Sequence, residues 1–219
     1  MTAADDAPII VRLGDEALII TFAQSISWDV GVRVRAAAMR IRNMQINSVI
    51  DVVPAYTTIA VYFDCALTSF ESAAAAIAAA VNMADEGGQD HSTLIEIPVR
   101  YDGADLSEVA ERTGLTIEEV IELHSSRTYR AYMSGFAPGF TYLGELDDAL
   151  VLPRRAVPRV HVAAGSVAIA GAQTSVYPLE TPGGWHLIGT TSAVMFDALR
   201  DPPALVRAGD SVRFVRVDS

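Results

Sequence analysis

The first 86 residues alternate between short apolar runs and stretches with the periodicity of a helix. Four runs predict strands: residues 9–12, 17–22, 49–53 and 59–63. One helix is predicted between the second and third strands, because apolar residues recur there every three or four positions: Val30, Val34, Ala37, Ile41 and Met44. An alanine-rich helix opens at the capping box Thr68-Ser-Phe-Glu71. The predicted order is ββαββα, a small N-terminal α/β domain.

A polar, glycine-containing linker at residues 86–92 predicts two domains, 1–88 and 89–219. The second begins with an alternating strand at 94–100 and two short helices that open at Asp105 and Thr116. Glycine and proline then become frequent and the apolar runs shorten. The runs that predict strands in this part are 167–170, 175–177, 186–188, 194–196 and 212–217. This spacing indicates a small closed β structure with helices inserted near its start, and an α+β fold class overall.

Composition narrows the possible functions. All 16 basic residues are arginine, against 27 acidic residues, which gives a net charge of −11. Without lysine, a P-loop or a Schiff-base mechanism is excluded. The acidic balance argues against nucleic acid or an anionic membrane as a partner. The acidic N-terminus lacks the positive charge of a signal peptide, and no apolar run reaches the length of a membrane span. We therefore expect a cytoplasmic protein.

A glycine-rich loop, Ser134-Gly-Phe-Ala-Pro-Gly-Phe-Thr-Tyr-Leu-Gly144, is the first candidate site. Gly135 and Gly139 would let backbone N–H groups approach a ligand closely, and Phe136 would help to anchor the loop. A tight structural turn pinned by aromatic residues is the alternative, and spacing alone favours it. The loop is not a Walker loop, because no Gly-Lys follows.

The second candidate is an arginine segment. Arg154, Arg155 and Arg159 lie in a stretch from residue 149 to residue 179 that contains no acidic residue. Guanidinium groups suit carboxylate or phosphate in a bidentate geometry. Pairing with acids elsewhere is an equally good interpretation, and the nearest in sequence are Glu145, Asp147 and Asp148.

Two further segments offer polar groups. Gln173 and Tyr177 lie in a strand–turn–strand region, where they could point into a cleft. Among the histidines, His124 is the best acid/base candidate, since it ends a predicted helix shortly before the glycine loop. A histidine at a helix C-terminus tends to have a raised pKa. No histidine spacing indicates a metal site, so none is expected.

These motifs together resemble the KipI/PxpB family, also called allophanate hydrolase subunit 1 or carboxyltransferase subdomain C and D. The resemblance spans residues 9–217. The segments that carry it are Arg12–Leu18, Asp51–Tyr56, Leu123–Ser125, Ser134–Gly144, Pro153–Arg155, Pro158-Arg159, Gly165–Gln173, Tyr177-Pro178 and Thr181–Gly189. It implies a C-terminal cyclophilin-like β-barrel after the α/β domain.

The resemblance also implies an activity and partners. The leading expectation is subunit 1 of a multi-subunit 5-oxoprolinase, which uses ATP to open the 5-oxoproline lactam to L-glutamate and is inactive alone. Its partners would be a KipA/PxpC-type subunit 2 and a PxpA/LamB-type third subunit. One alternative is a subunit of an allophanate hydrolase or of a biotin-dependent carboxyltransferase, with biotin as cofactor. The other is an inhibitor of a histidine kinase.

Under the leading expectation, the arginines supply positive charge for developing oxyanions and phosphates, and His124 moves a proton. We predict catalytic roles for His124, Arg154 and Arg159. The predicted substrate-binding residues are Gly135, Phe136, Gly139, Arg155, Gln173 and Tyr177. ATP would bind without a Walker loop, or largely on a partner. His161 and His186 depart from the family pattern and receive no family role.

Overall fold

The structure is a computed structural model that describes residues 7–82 and 92–218. The chain forms two compact units, one up to residue 90 and one from residue 91 onward. The predicted boundary at residues 88–89 lies outside the described residues, as does most of the predicted linker. No helix in the described ranges is long and apolar enough to cross a bilayer.

The first unit is a four-stranded antiparallel sheet with two helices, in the predicted ββαββα order. Its elements are β1 (Ile9–Arg12), β2 (Ala17–Thr21), α1 (Trp28–Asn43), β3 (Val49–Pro54), β4 (Thr58–Phe63) and α2 (Phe70–Asn82). The strand order across the sheet is β1-β2-β4-β3. Alternate strand residues such as Leu18, Ile59 and Val61 are fully buried and pack with Val34 and Ile77 of the helices. This packing gives the unit a core of its own.

Hydroxyl caps begin both helices. The Ser27 hydroxyl accepts the Val30 N–H at 3.3 Å. At α2 the capping hydroxyl belongs to Ser69, which accepts the Ser72 N–H at 3.3 Å, one residue later than the predicted Thr68. The Ser69 carbonyl also accepts the Ala73 N–H at 2.9 Å, which makes Ser69 the first residue of the helical hydrogen-bond pattern.

The second unit combines two helices with a large sheet and a two-stranded ribbon. Its elements are β5 (Leu94–Val99), α3 (Leu106–Thr113), α4 (Ile117–Ser125), β6 (Thr128–Ser134), β7 (Thr141–Gly144), a 3-10 turn (Asp148–Leu150), β8 (Arg159–Val162), β9 (Ser166–Ala170), β10 (Gln173–Val176), β11 (Thr181–Gly183), β12 (His186–Thr190) and β13 (Ser211–Arg216). Seven strands form one sheet in the order β12-β9-β10-β7-β6-β13-β5, and β8 pairs with β11 in the separate ribbon.

The seven-stranded sheet nearly closes on itself. Just beyond β5, Arg100 exchanges backbone hydrogen bonds with Thr190 of β12, at 2.9 and 2.8 Å. This bridge joins the two edge strands, and the α+β class with a barrel-like second unit is confirmed. The predicted strand at 194–196 is wrong: only Phe196 makes an isolated bridge, to Ala204.

The two helices of the second unit begin differently. At α4, the Thr116 hydroxyl accepts the Glu119 N–H at 3.2 Å, and the Glu119 carboxylate accepts the Thr116 N–H at 2.7 Å, as the capping box predicts. Asp105 occupies the N-cap position of α3, but its carboxylate accepts no hydrogen bond from that helix. The Asp105 side chain is thereby available for contacts outside the helix.

Candidate functional site

Asp105 gathers the side chains of the arginine segment. Its Oδ1 atom accepts hydrogen bonds from Arg155 Nη1 at 2.9 Å and from Arg159 Nη2 at 2.6 Å. Its Oδ2 atom accepts the Leu187 N–H at 2.7 Å, which ties the start of α3 to β12. The Asp105 side chain is only 3% exposed. One buried carboxylate therefore holds two guanidinium groups that lie four residues apart in the chain.

The charge state of Asp105 follows from these contacts. Burial by itself raises the pKa of the Asp105 carboxyl, but the hydrogen bonds from Arg159 and Leu187 and the charges of Arg159 and Arg155 outweigh it. The net effect lowers the pKa below its usual value. Asp105 is thus a carboxylate that accepts hydrogen bonds, not a proton donor at neutral pH.

Glu108 and His186 complete the group that we call the arginine–acid cluster: Asp105, Glu108, Arg155, Arg159 and His186. Glu108 Oε2 accepts a hydrogen bond from Arg155 Nη1 at 2.8 Å, and this bond is the main reason that the pKa of Glu108 is lowered. His186 is fully buried, and its Nε2 donates to the Pro153 carbonyl at 2.9 Å. The other ring nitrogen, Nδ1, lies 4.0 Å from Glu108 Oε1.

The arginine segment therefore pairs with acids other than the predicted neighbours. Of those, Asp147 contacts Arg127, and Glu145 accepts a hydrogen bond from Tyr132 at 2.9 Å. Arg154 is exposed, unlike Arg155 and Arg159, which are partly buried. The segment thus presents one exposed guanidinium group beside two that are held in the cluster.

A second group of residues forms an aromatic cluster under the glycine loop. Phe140 makes edge-to-face contacts with Phe136, Tyr142, Tyr177 and Trp185, at centroid distances between 5.0 and 5.6 Å. Tyr177 is 1% exposed, so it lies within this cluster and does not project into an open cleft as predicted. Phe136, by contrast, is 63% exposed. The loop is therefore anchored by Phe140 and presents Phe136 to solvent.

The glycines of the loop differ from each other. Gly139 has φ +80°, and a Cβ there would lie 2.7 Å from Phe196 Cβ. The expectation that a side chain at Gly139 would crowd a ligand is wrong, since the neighbouring atoms are those of Phe196 and Met195. Gly135 lies outside the left-handed region, where the nearest neighbour of a Cβ is the flexible end of Met133, at 3.3 Å. Phe136 itself has φ +71°.

His124 lies in the core of the second unit. Thr174 donates its hydroxyl proton to the Ala168 carbonyl at 3.1 Å, so its oxygen accepts from His124 Nε2 at 2.8 Å. His124 Nδ1 then accepts from the Tyr101 hydroxyl at 2.8 Å, and the ring stacks on Phe214. Burial lowers the pKa of His124 to about 3. The predicted raised pKa is wrong, and the geometry gives His124 a structural role as a neutral ring.

The structure brings Arg155 and Arg159 together and places Phe136 and Tyr177 on one aromatic cluster. Gln173 lies in β10 next to Thr174, partly buried, and His124 lies in the core. Sequence patterns alone do not indicate Asp105, Glu108 or His186 as site residues. The first two have the pattern of a helix start, and their spacing of three residues is the signal that both face one side of α3. No cluster of metal-ligating side chains occurs among residues 7–82 and 92–218.

Fold and sequence together define the class of protein. The chain matches the family described as carboxyltransferase domain, subdomain C and D, over residues 8–206, and it belongs to that family. A 5-oxoprolinase subunit of Bacillus subtilis (strain 168) is 40% identical over 221 residues, which cover 95% of this chain and 92% of that protein. The 5-oxoprolinase subunit of the same name from Escherichia coli O157:H7 is 57% identical over 133 residues, 59% of this chain and 61% of that protein. The resemblance to the KipI/PxpB family is confirmed.

Solved structures share the fold. The crystal structure of TTHA0988 superimposes with a TM-score of 0.82 at 38% identity, over 93% of this chain and 40% of that longer chain. PH0987 from Pyrococcus horikoshii is 39% identical, with a TM-score of 0.57 over 96% of this chain and 98% of that one. The K. lactis urea amidolyase matches at 14% identity, with a TM-score of 0.75 over 96% of this chain and 15% of that enzyme, a likeness in fold alone.

Proposed function

We propose that this chain is subunit 1 of a multi-subunit, ATP-dependent 5-oxoprolinase that opens the lactam of 5-oxoproline to L-glutamate. The observation that carries the proposal is the 40% identity to a 5-oxoprolinase subunit across 92% of that protein. The match extends over both units of the chain, so it includes the arginine segment and the helix that binds it.

The arginine segment supplies the charge that such a reaction needs. Opening a lactam places negative charge on the carbonyl oxygen, and preorganised cationic donors stabilise that charge. Arg155 and Arg159 are preorganised, because Asp105 holds both. Arg154, which is exposed, is the guanidinium group that we assign to the carboxylate of 5-oxoproline. His124 takes no part in this proposal, since its ring is buried and fully hydrogen-bonded.

ATP fits this chain poorly. A phosphate cradle needs backbone N–H groups that face open space, whereas the tight side of Gly139 faces Phe196 and Met195. The chain also has no lysine to contact the phosphates. We therefore propose that the partner subunits hold ATP, and that this chain contributes binding and orientation of the small substrate. Those partners are a KipA/PxpC-type subunit 2 and a PxpA/LamB-type third subunit.

Reconstitution tests the proposal. The three co-expressed subunits are expected to release glutamate from 5-oxoproline only with ATP, and omission of any one subunit should abolish release. The same preparation should be assayed with allophanate, and a biotin-dependent carboxyl transfer assay run beside it. Activity there without glutamate release would replace the proposal with the allophanate hydrolase or carboxyltransferase alternative. Inhibition of a histidine kinase from the same organism, in the absence of all these activities, would favour the inhibitor.

A further inference from the structure

Three buried polar atoms of the arginine–acid cluster have no hydrogen-bond partner. They are Arg155 Nε, Arg159 Nη1 and His186 Nδ1. About nine in ten buried polar groups in folded proteins are hydrogen-bonded, and each exception needs an explanation. Here the three atoms belong to side chains that approach the same two carboxylates, those of Asp105 and Glu108. Their clustering points to a ligand that supplies the missing partners.

The hydrogen-bonding character of these atoms is fixed by their neighbours. The Pro153 carbonyl can only accept, so the proton of a neutral His186 ring is on Nε2. His186 Nδ1 is then an acceptor with nothing to accept. The two guanidinium atoms are donors in every state. The complementary ligand therefore offers an acceptor oxygen and, beside it, a donor N–H.

The charges of the cluster decide between an anion and a neutral group. Two guanidinium groups, Arg155 and Arg159, are already balanced by the carboxylates of Asp105 and Glu108. A phosphate or second carboxylate would gain little attraction here and would be repelled by Glu108. A neutral amide carries both the acceptor oxygen and the donor N–H without adding charge. The cluster thus fits an amide better than an anion.

We propose that the arginine–acid cluster binds the lactam group of the substrate, and that His186 Nδ1 reads its N–H. The lactam oxygen accepts from Arg155 and Arg159, and the N–H donates to His186. Glu108, whose side chain is 41% exposed, must move aside to admit the ligand to the buried imidazole. The identity of the lactam as 5-oxoproline rests on the proposed function, whereas the recognition of an amide N–H rests on the cluster.

A pair of probes isolates the N–H. 5-Oxoproline and its lactone analogue, 5-oxotetrahydrofuran-2-carboxylate, differ only in the ring N–H, which is an oxygen atom in the lactone. We expect calorimetric titration of the full chain, alone and in the co-expressed complex without ATP, to show about tenfold tighter binding of the lactam. The experiment measures binding, so its outcome is independent of glutamate release.

Variants assign the discrimination to His186. Glutamine at position 186 can keep a donor to the Pro153 carbonyl but has no equivalent of Nδ1. We therefore expect His186→Gln to bind the two probes within about twofold of each other. His161→Gln is the matched control, because His161 is 74% exposed and contacts Glu180, and it should keep the tenfold difference.

A measurement on the unaltered protein covers the case in which His186→Gln does not fold. The ¹⁵N resonance of His186 Nδ1 should move on addition of 5-oxoproline and stay in place on addition of the lactone. Equal affinity for the two probes, no binding of either, a tenfold preference retained in His186→Gln, or an unmoved resonance would each overturn the proposal. Failure of glutamate release alone would overturn the proposed function and leave this proposal standing.

Discussion

The imidazole of His124 is stabilised in its neutral form by every contact that it makes. One ring nitrogen donates to Thr174, the other accepts from Tyr101, and one face stacks on Phe214. A second proton would have to displace the hydrogen donated by Tyr101, in surroundings without a carboxylate to pair with it. Burial thus lowers the pKa of His124 to about 3.

This lowered pKa predicts a loss of stability in mild acid. The unfolded chain takes up the histidine proton near pH 6.5, and the folded chain does so only near the lower pKa of about 3. Between these values the free energy of unfolding should fall with decreasing pH, by up to about 1.4 kcal/mol per pH unit from this group. Denaturant melts of the wild type and His124→Gln between pH 7 and 5 measure the slope. An equal slope in both proteins would contradict the burial argument.

Gly139 gives a second prediction at the scale of one residue. Gly139→Ala should lower the free energy of unfolding by more than the roughly 1–2 kcal/mol of a left-handed alanine, because its Cβ would also meet Phe196 at 2.7 Å. Gly171→Ala is the control: Gly171 has φ +56° but nothing within 4 Å of the added Cβ. Chemical denaturation compares the two. Equal losses would show that the contact with Phe196 contributes nothing.

At the scale of elements, Asp105 links three parts of the second unit. Its backbone precedes α3, its Oδ1 atom binds Arg159 at the start of β8, and its Oδ2 atom binds Leu187 in β12. Because the Asp105 pKa is lowered in the folded state, its stabilising effect is complete above the unfolded value of about 3.9 and is lost as the pH falls further.

Removing this link should be costly. Asp105→Ala leaves two partly buried guanidinium groups without a counter-charge, and we expect a loss of about 2–3 kcal/mol at pH 7. The arginine side chains are about a quarter exposed, so the cost lies below that of a fully buried pair. Glu108→Ala is the control, with a smaller expected loss because Glu108 is 41% exposed. Thermal and denaturant melts would contradict the argument if Glu108→Ala were the more damaging change.

The start of α2 offers a test with neighbouring residues. Ser69→Ala should cost about 1 kcal/mol, since the Ser69 hydroxyl accepts the Ser72 N–H. Thr68→Ala should cost much less, because its hydroxyl makes only a 3.4 Å contact to the Ser69 carbonyl. Denaturation of the two variants decides which residue caps the helix. A larger loss from Thr68→Ala would restore the position that the sequence predicts.

Local patterns were sufficient for the elements of the first unit and for the capping box at Thr116. They failed where a residue's role depends on distant strands. Asp105 has the composition of a helix cap, but its partners come from β8 and β12, about 50 and 80 residues away. The burial of His124 likewise depends on Thr174, 50 residues on. Periodicity reports which side of a helix is apolar, and only the tertiary structure reports what covers it.

At the scale of the whole molecule, the exposed apolar residues of the second unit are fewer than the loop composition indicates. Phe140 and Trp185 were expected to help bind a partner, but both are buried in the aromatic cluster. Phe136 remains 63% exposed, although its φ of +71° is unusual for an aromatic residue. An exposed aromatic ring held on a buried one is typical of an interface anchor.

Phe136 therefore provides the test of assembly with subunit 2. We expect the two subunits to elute together from a size-exclusion column at micromolar concentration, and Phe136→Ser to weaken the complex about 30-fold, as for an aromatic hot spot. The thermal melt of Phe136→Ser should remain close to that of the wild type, since most of the ring is already in solvent. Leu199→Ser is the matched control, because Leu199 is 97% exposed in a loop of the same unit and has no aromatic anchor beneath it. Separate elution of the wild-type subunits would remove the basis for a stable complex. Co-elution that Phe136→Ser leaves unchanged would place the contact on another surface of the chain.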